Sequence, residues 1–118
     1  MFVPADRLPE AEIKMTEKDL DAQIGAAWSA HYEGQDDAAI QQFTQILNTE
    51  PANIDANWGL GLAYRSLSQH DRAREIFLKV KELIQEEIGR ENSAQPGRFV
   101  MLNRMVDQQL ASLEEYLT

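Results

Sequence analysis

The sequence repeats itself at an interval of 34 residues, and no other feature constrains the fold as tightly. Sliding the chain by that interval superposes Ala22 on Ala56, Ala27 on Gly61, Ala39 on Ala73, Phe43 on Phe77 and Ile46 on Val80. Small residues fall on small ones, and large apolar residues on large apolar ones. A fixed period of this size marks a stacked architecture, in which one unit cannot bury its apolar face alone and a second copy covers it. Within each copy the apolar residues recur three and four apart, as in "AREIFLKVKELI" with Ile76, Phe77, Val80, Leu83 and Ile84. That is helical periodicity, and strand-type alternation is absent. Breaks fall at "YEGQDD" around Gly34, at "NTEPAN" around Pro51 and at "LSQHD" in the second copy. Each copy therefore reads as helix, turn, helix, and the fold class is all-α.

The small residues have a packing reason. Ala27 and Gly61 fall where one helix must approach its partner closely, and Ala39 and Ala73 do the same on the second helix. Phe43 and Phe77 then fill the space between successive helices. In the second copy Leu60, Gly61 and Tyr64, followed by Ala73 and Phe77, match the spacing L-G-x2-Y, then A-x3-F, and the first copy supplies Ala27, Gly34, Ala39, Phe43 and Pro51. These residues resemble the tetratricopeptide repeat family over about Leu20 to Glu87. Gln23 and Asn57 stand where the family pattern has Trp, Ala26 and Ala30 replace Leu and Tyr, and Gln85 replaces the closing Pro. The resemblance implies repeats at 20–53 and 54–87, built as antiparallel hairpins in a short right-handed α-solenoid of about five helices.

Such stacks generally need about three repeats, so other segments must cover the open ends. After Pro96 and Gly97 comes "RFVMLNRMVDQQLASLEEYL", with Phe99, Leu102, Met105, Val106, Leu110, Leu113 and Leu117 expected along one helical face. It reads as a capping helix over 98–117 that does not continue the repeat. The helix before it, from Asp71 to about Arg90, is expected to outrun its counterpart, as a platform for the cap or, less economically, a surface for self-association. Residues 1–14, with two Pro and no helical stripe, read as a tail before a domain that begins near Met15, and Thr16 with Asp19 makes a plausible helix start.

Charge excludes some partners. The 118 residues carry 11 basic and 20 acidic side chains, a formal net charge of -9, whereas nucleic-acid binders present the opposite sign. Between Asp19 and Tyr64 there is no Lys or Arg. This acidic half either solvates the fold or steers basic partners. The hydrophobic share of 43% and charged share of 26% fit a folded globular domain. No apolar run approaches the roughly 20 residues that cross a bilayer, and "MFVPADRLPE" has no basic stretch leading into an apolar one, so we expect no membrane insertion and a cytoplasmic location. Without Cys there are no disulfides or thiolate ligands. His31 and His70 stand far apart, with no metal motif around them, and we expect no metal and no cofactor. "GLG" at Gly59 to Gly61 lies inside a helical pattern with no strand before it, which argues against a nucleotide loop. Ser29, Ser66 and Ser112 have no His and Asp partners at a spacing the sequence supports, so no catalytic residue is assigned.

The first helix of each hairpin carries a second apolar stripe. Ile24, Trp28, His31 and Tyr32 fall at i, i+4, i+7 and i+8, apart from the stripe that holds Ala27, and Trp58, Leu62, Arg65 and Ser66 repeat the geometry. The family resemblance implies that such first-helix residues line a concave groove; the alternative is that both Trp are core residues under the tail or the final helix. Relatives that clamp a peptide's terminal carboxylate use Lys, Asn and Arg on this face, whereas here Arg65 stands alone among apolar residues. The expected function is a noncatalytic protein-binding module, an adaptor, assembly factor or chaperone-like protein, that takes an apolar, basic-flanked segment of another protein. The other readings are a structural self-association unit that forms a homodimer, and a regulatory subunit of a larger complex, including an enzyme.

Overall fold

Helices stop where the turns were read. The computed structural model describes residues 17–90 and 96–117, and these form five helices and no strand: α1 (Glu17–Tyr32), α2 (Asp36–Thr49), α3 (Ile54–Ser66), α4 (His70–Gly89) and α5 (Pro96–Leu117). Each helix packs on the next in sequence, and α1 also touches α3. The result is an all-α stack of antiparallel hairpins like that of a tetratricopeptide solenoid. The tail at 1–14, the domain start near Met15 and the helix start at Thr16 lie outside the described residues.

The two hairpin turns are built alike. Gly34 has φ 80°, and the Gln35 N–H donates to Ala30 O at 2.8 Å while the Gly34 N–H donates to His31 O at 3.0 Å. One period later Ser68 takes φ 61°, with Gln69 N–H donating to Tyr64 O and Ser68 N–H to Arg65 O, both at 2.9 Å. Both are helix ends closed by a left-handed residue, a conformation easy for Gly and costly for Ser. Between hairpins, Pro51 disfavours helix in the residue before it, and α2 ends at Thr49. Asn53 caps α3, its side chain accepting from the Ala56 N–H at 2.8 Å. Asn57, fully buried where the family pattern has Trp, donates through Nδ2 to Pro51 O at 3.0 Å and Asn53 O at 2.9 Å. The departure thus ties down the loop between the repeats. No Pro closes α4, which runs 20 residues against 14 for α2.

The core is two linked clusters, one around Phe43 and one around Phe77. A Cβ added to Gly61 would lie 2.5 Å from the Phe77 ring, as the close helix approach requires. Gly59 does the same for the preceding hairpin, since a Cβ there would lie 2.2 Å from Phe43 Cζ. The "GLG" of α3 is therefore a pair of ring seats, one for the phenylalanine on each side.

The last helix covers the second cluster, with Leu102, Val106 and Leu113 buried against Phe77, Val80 and Ile84. One expectation changes here. Met105 lies off the buried face and is 39% exposed. The helix also reaches α3 through side chains. It runs parallel to α3, with Arg98 Nη2 donating to Asp55 Oδ1 at 2.8 Å and Arg65 donating to Gln109 Oε1 and to Ser112 Oγ. It runs antiparallel to α4, with Lys81 paired to Asp107 at 2.5 Å and the His70 and Tyr116 rings stacked at 4.0 Å. The Asp55–Arg98 bond sets the two helices in register at an interval of 43, which carries Gly59 onto Leu102 and Ala63 onto Val106.

Candidate functional site

The residues of the second stripe are set apart by what the other faces bury. On α1, Ala27 and Ala30 are buried in the cluster around Phe43; on α3, Ala56, Gly59 and Ala63 turn toward that cluster, and Gly61 toward Phe77. What is left on α1 is Asp21, Ile24, Trp28 and His31, and on α3 Asp55, Trp58, Leu62 and Arg65, each set spaced i, i+3, i+7 and i+10. Since α1 and α3 touch, the two stripes lie on neighbouring helices.

The predicted residues are not equally open. Trp28 is half-buried and packs against both core clusters, with its ring edge-on to Phe43 at 5.4 Å and stacked on Tyr32 at 5.7 Å. Tyr32 itself is 77% exposed. Trp58 is only 7% exposed, with its ring 5.3 Å from that of Phe77, so most of this Trp belongs to the core. Ile24, His31, Leu62 and Arg65 are half-buried and Ser66 is exposed. His31 Nδ1 is 2.6 Å from Asp36 Oδ1, which pins the end of α1 to the start of α2.

A third stripe comes from α5. At the interval of 43, Asp55, Trp58, Leu62 and Arg65 fall on Arg98, Met101, Met105 and Gln108, and the bonds from Asp55 to Arg98 and from Arg65 to Gln109 and Ser112 hold that side of α5 beside α3. Met101 is 59% exposed and Met105 39%. Met105 was expected on the buried face and Met101 was not singled out; the pair at i and i+4 was the available signal. Two exposed thioethers one helical turn apart make an adaptable apolar surface.

Along the helices the stripe changes character. Glu17, Asp21 and Asp55 lie at one end with Arg98. Ile24, Trp28, Leu62, Met101 and Met105 occupy the middle. Arg65, Ser66, Gln109 and Ser112 lie at the other end, where no carboxylate pairs with Arg65 among the described ion pairs. A cleft of about 640 Å³ lies elsewhere, between Asp71, Arg74 and Glu75 of α4 and Glu114 and Leu117 of α5, and none of the predicted residues lines it. No helix among the described residues is long and apolar enough to cross a membrane.

A comparison with curated proteins returns no match. The family model for the tetratricopeptide repeat matches residues 55–83, which span α3 and most of α4. The matched segment contains Gly61 and the Phe77 ring it seats, as well as the left-handed turn at Ser68. Over this segment the chain is similar to the tetratricopeptide repeat family.

Proposed function

We propose that the chain is a noncatalytic module that binds a segment of another protein in the groove walled by α1, α3 and α5. Tetratricopeptide repeats are protein-interaction folds, and the observation that carries the groove is the exposure of Tyr32, stacked on half-buried Trp28, and of Met101 and Met105 on α5. Apolar surface of this kind, left open next to a well-filled core, usually marks a contact. The acidic excess favours a partner segment with apolar anchors and a basic flank, and disfavours nucleic acid. Adaptor, assembly factor and chaperone-like protein all fit this reading, with a cytoplasmic location.

Panning a random peptide library displayed on phage against the immobilised protein tests it. Peptides enriched by the wild type are expected to lose about tenfold or more in affinity for Met105→Asp and for Tyr32→Ala, with thermal midpoints held, because both side chains are exposed. Enrichment that both variants leave untouched would place binding elsewhere. A concentration-independent dimer by light scattering, in which Tyr32→Ala and Met105→Asp restore the monomer, would favour the self-association reading instead.

A further inference from the structure

The charge order along this groove points to the kind of segment that fits, and we infer that the partner is an α-helix lying antiparallel to α3, with an acidic residue near its N-terminus, two apolar anchors, and a basic residue near its C-terminus. The inference rests on the groove proposed above. Its first ground is spacing. On α3 the stripe runs Asp55, Trp58, Leu62 and Arg65, with Asp21, Ile24, Trp28 and His31 alongside on α1. These are steps of three, four and three residues, about 15 Å from end to end at 1.5 Å per residue. A facing helix meets all four levels with its own i, i+3, i+7 and i+10 positions. An extended strand presents same-face side chains about every 6.7 Å and matches fewer of them.

The second ground is charge. At the first level Glu17, Asp21 and Asp55 outnumber Arg98, so a cation is favoured there. At the fourth level Arg65 is held by two neutral acceptors, Gln109 and Ser112. Asp36, in the turn after α1, is held by His31 at 2.6 Å. A half-buried guanidinium fixed by neutral partners retains donors and charge for an incoming carboxylate. The third ground sets direction. The acidic level lies toward the N-terminal ends of α1 and α3, and a helix is stabilised by acidic residues at its own N-terminus and basic ones at its C-terminus. Placing the partner's acidic N-terminus at Arg65 and its basic C-terminus at Asp21 and Asp55 satisfies both helices. The order read along the partner is then acidic, apolar, apolar, basic.

Two blocked alanine-based peptides of about 17 residues, long enough to be helical in water, test the assignment. One carries Glu, Leu, Leu and Lys at i, i+3, i+7 and i+10, the other Lys, Leu, Leu and Glu, so that composition and net charge are equal. Neither contains Trp, so the emission of Trp28 and Trp58 reports binding. The Glu-first peptide is expected to bind about tenfold more tightly to the wild type. Because that peptide is also the better helix by itself, the deciding quantity is how the ratio changes with the protein. Asp21→Arg, at an exposed position, should lower it several-fold, and Arg65→Glu should lower it further. The Asp21→Arg arm stands even if Arg65→Glu loosens α5. A ratio that neither variant changes overturns the charge order and leaves the groove in place. No change of emission with either peptide at millimolar concentration overturns the groove itself.

Discussion

Gly25 and Gly59 occupy the same position in the two repeats, yet their surroundings are opposite. Nothing lies within 4 Å of a Cβ built on Gly25, whereas one built on Gly59 would lie 2.2 Å from Phe43 Cζ and 2.6 Å from Cε1. Replacement of a helical Gly by Ala gains up to about 1 kcal/mol where space is free, from propensity and from the unfolded chain's lost freedom. Gly25→Ala should therefore stabilise the fold by roughly 0.5 to 1 kcal/mol. At Gly59 the Phe43 ring is fully buried and cannot move without displacing Trp28, which meets it edge-on. Gly59→Ala should cost about 1 to 3 kcal/mol through overpacking. Urea unfolding of the two variants checks the pair, and equal shifts of the same sign would mean that the ring is not seated as described. Gly61 was legible as a packing residue because it falls on Ala27. Gly59 was not, because its ring comes from the preceding repeat and its counterpart Gly25 has no helix before it among the described residues. Asn57 and Ser68 were equally hidden. Their roles lie in carbonyl groups and a left-handed turn, which leave no apolar periodicity.

Among the elements, α5 shows what periodicity reveals and what it misses. Its apolar stripe announced a covering helix, and Leu102, Val106 and Leu113 do seal the cluster that holds Phe77, Val80 and Ile84. Met105 was drawn with the buried stripe, because a spacing of three and four residues does not fix where the edge of the buried face falls. A stop after Arg90 should strip that cluster and leave Trp58, Val80 and Ile84 facing water. Each large apolar side chain so exposed forfeits about 1.5 to 3 kcal/mol, more than a chain of this size holds in reserve for long. The shortened protein should lose its cooperative thermal transition or aggregate; an undiminished midpoint in a monomer would refute the covering role. The groove was legible only in part. Spacing located Trp28, Leu62 and Arg65 on one stripe, but not the degree to which α5 would cover Trp58, since that depends on the pairing of Arg98 with Asp55 and of Arg65 with Gln109 and Ser112.

At the scale of the whole molecule, charge divides the stack. The N-terminal half is acidic and has no Lys or Arg between Asp19 and Tyr64, within a chain of formal charge -9. The described ion pairs of Lys and Arg, Lys81 with Asp107, Arg90 with Glu87 and Arg98 with Asp55, all draw their cations from α4 onward. The carboxylates of α1 and α2 therefore repel one another through solvent in the folded state, and less in the expanded unfolded chain. Raising salt from about 10 mM to about 150 mM shortens the screening length from about 30 Å to about 8 Å, less than the reach of these helices. Repulsion then weakens more than the few paired charges do, because each exposed pair contributes under about 1 kcal/mol. The thermal midpoint should rise by a few degrees over that range, with most of the gain by 150 mM. Scans in sodium chloride at neutral pH check this. A midpoint that falls with salt would show that attractive pairs outweigh the acidic excess, and that the N-terminal half is compensated by contacts other than those among the described residues.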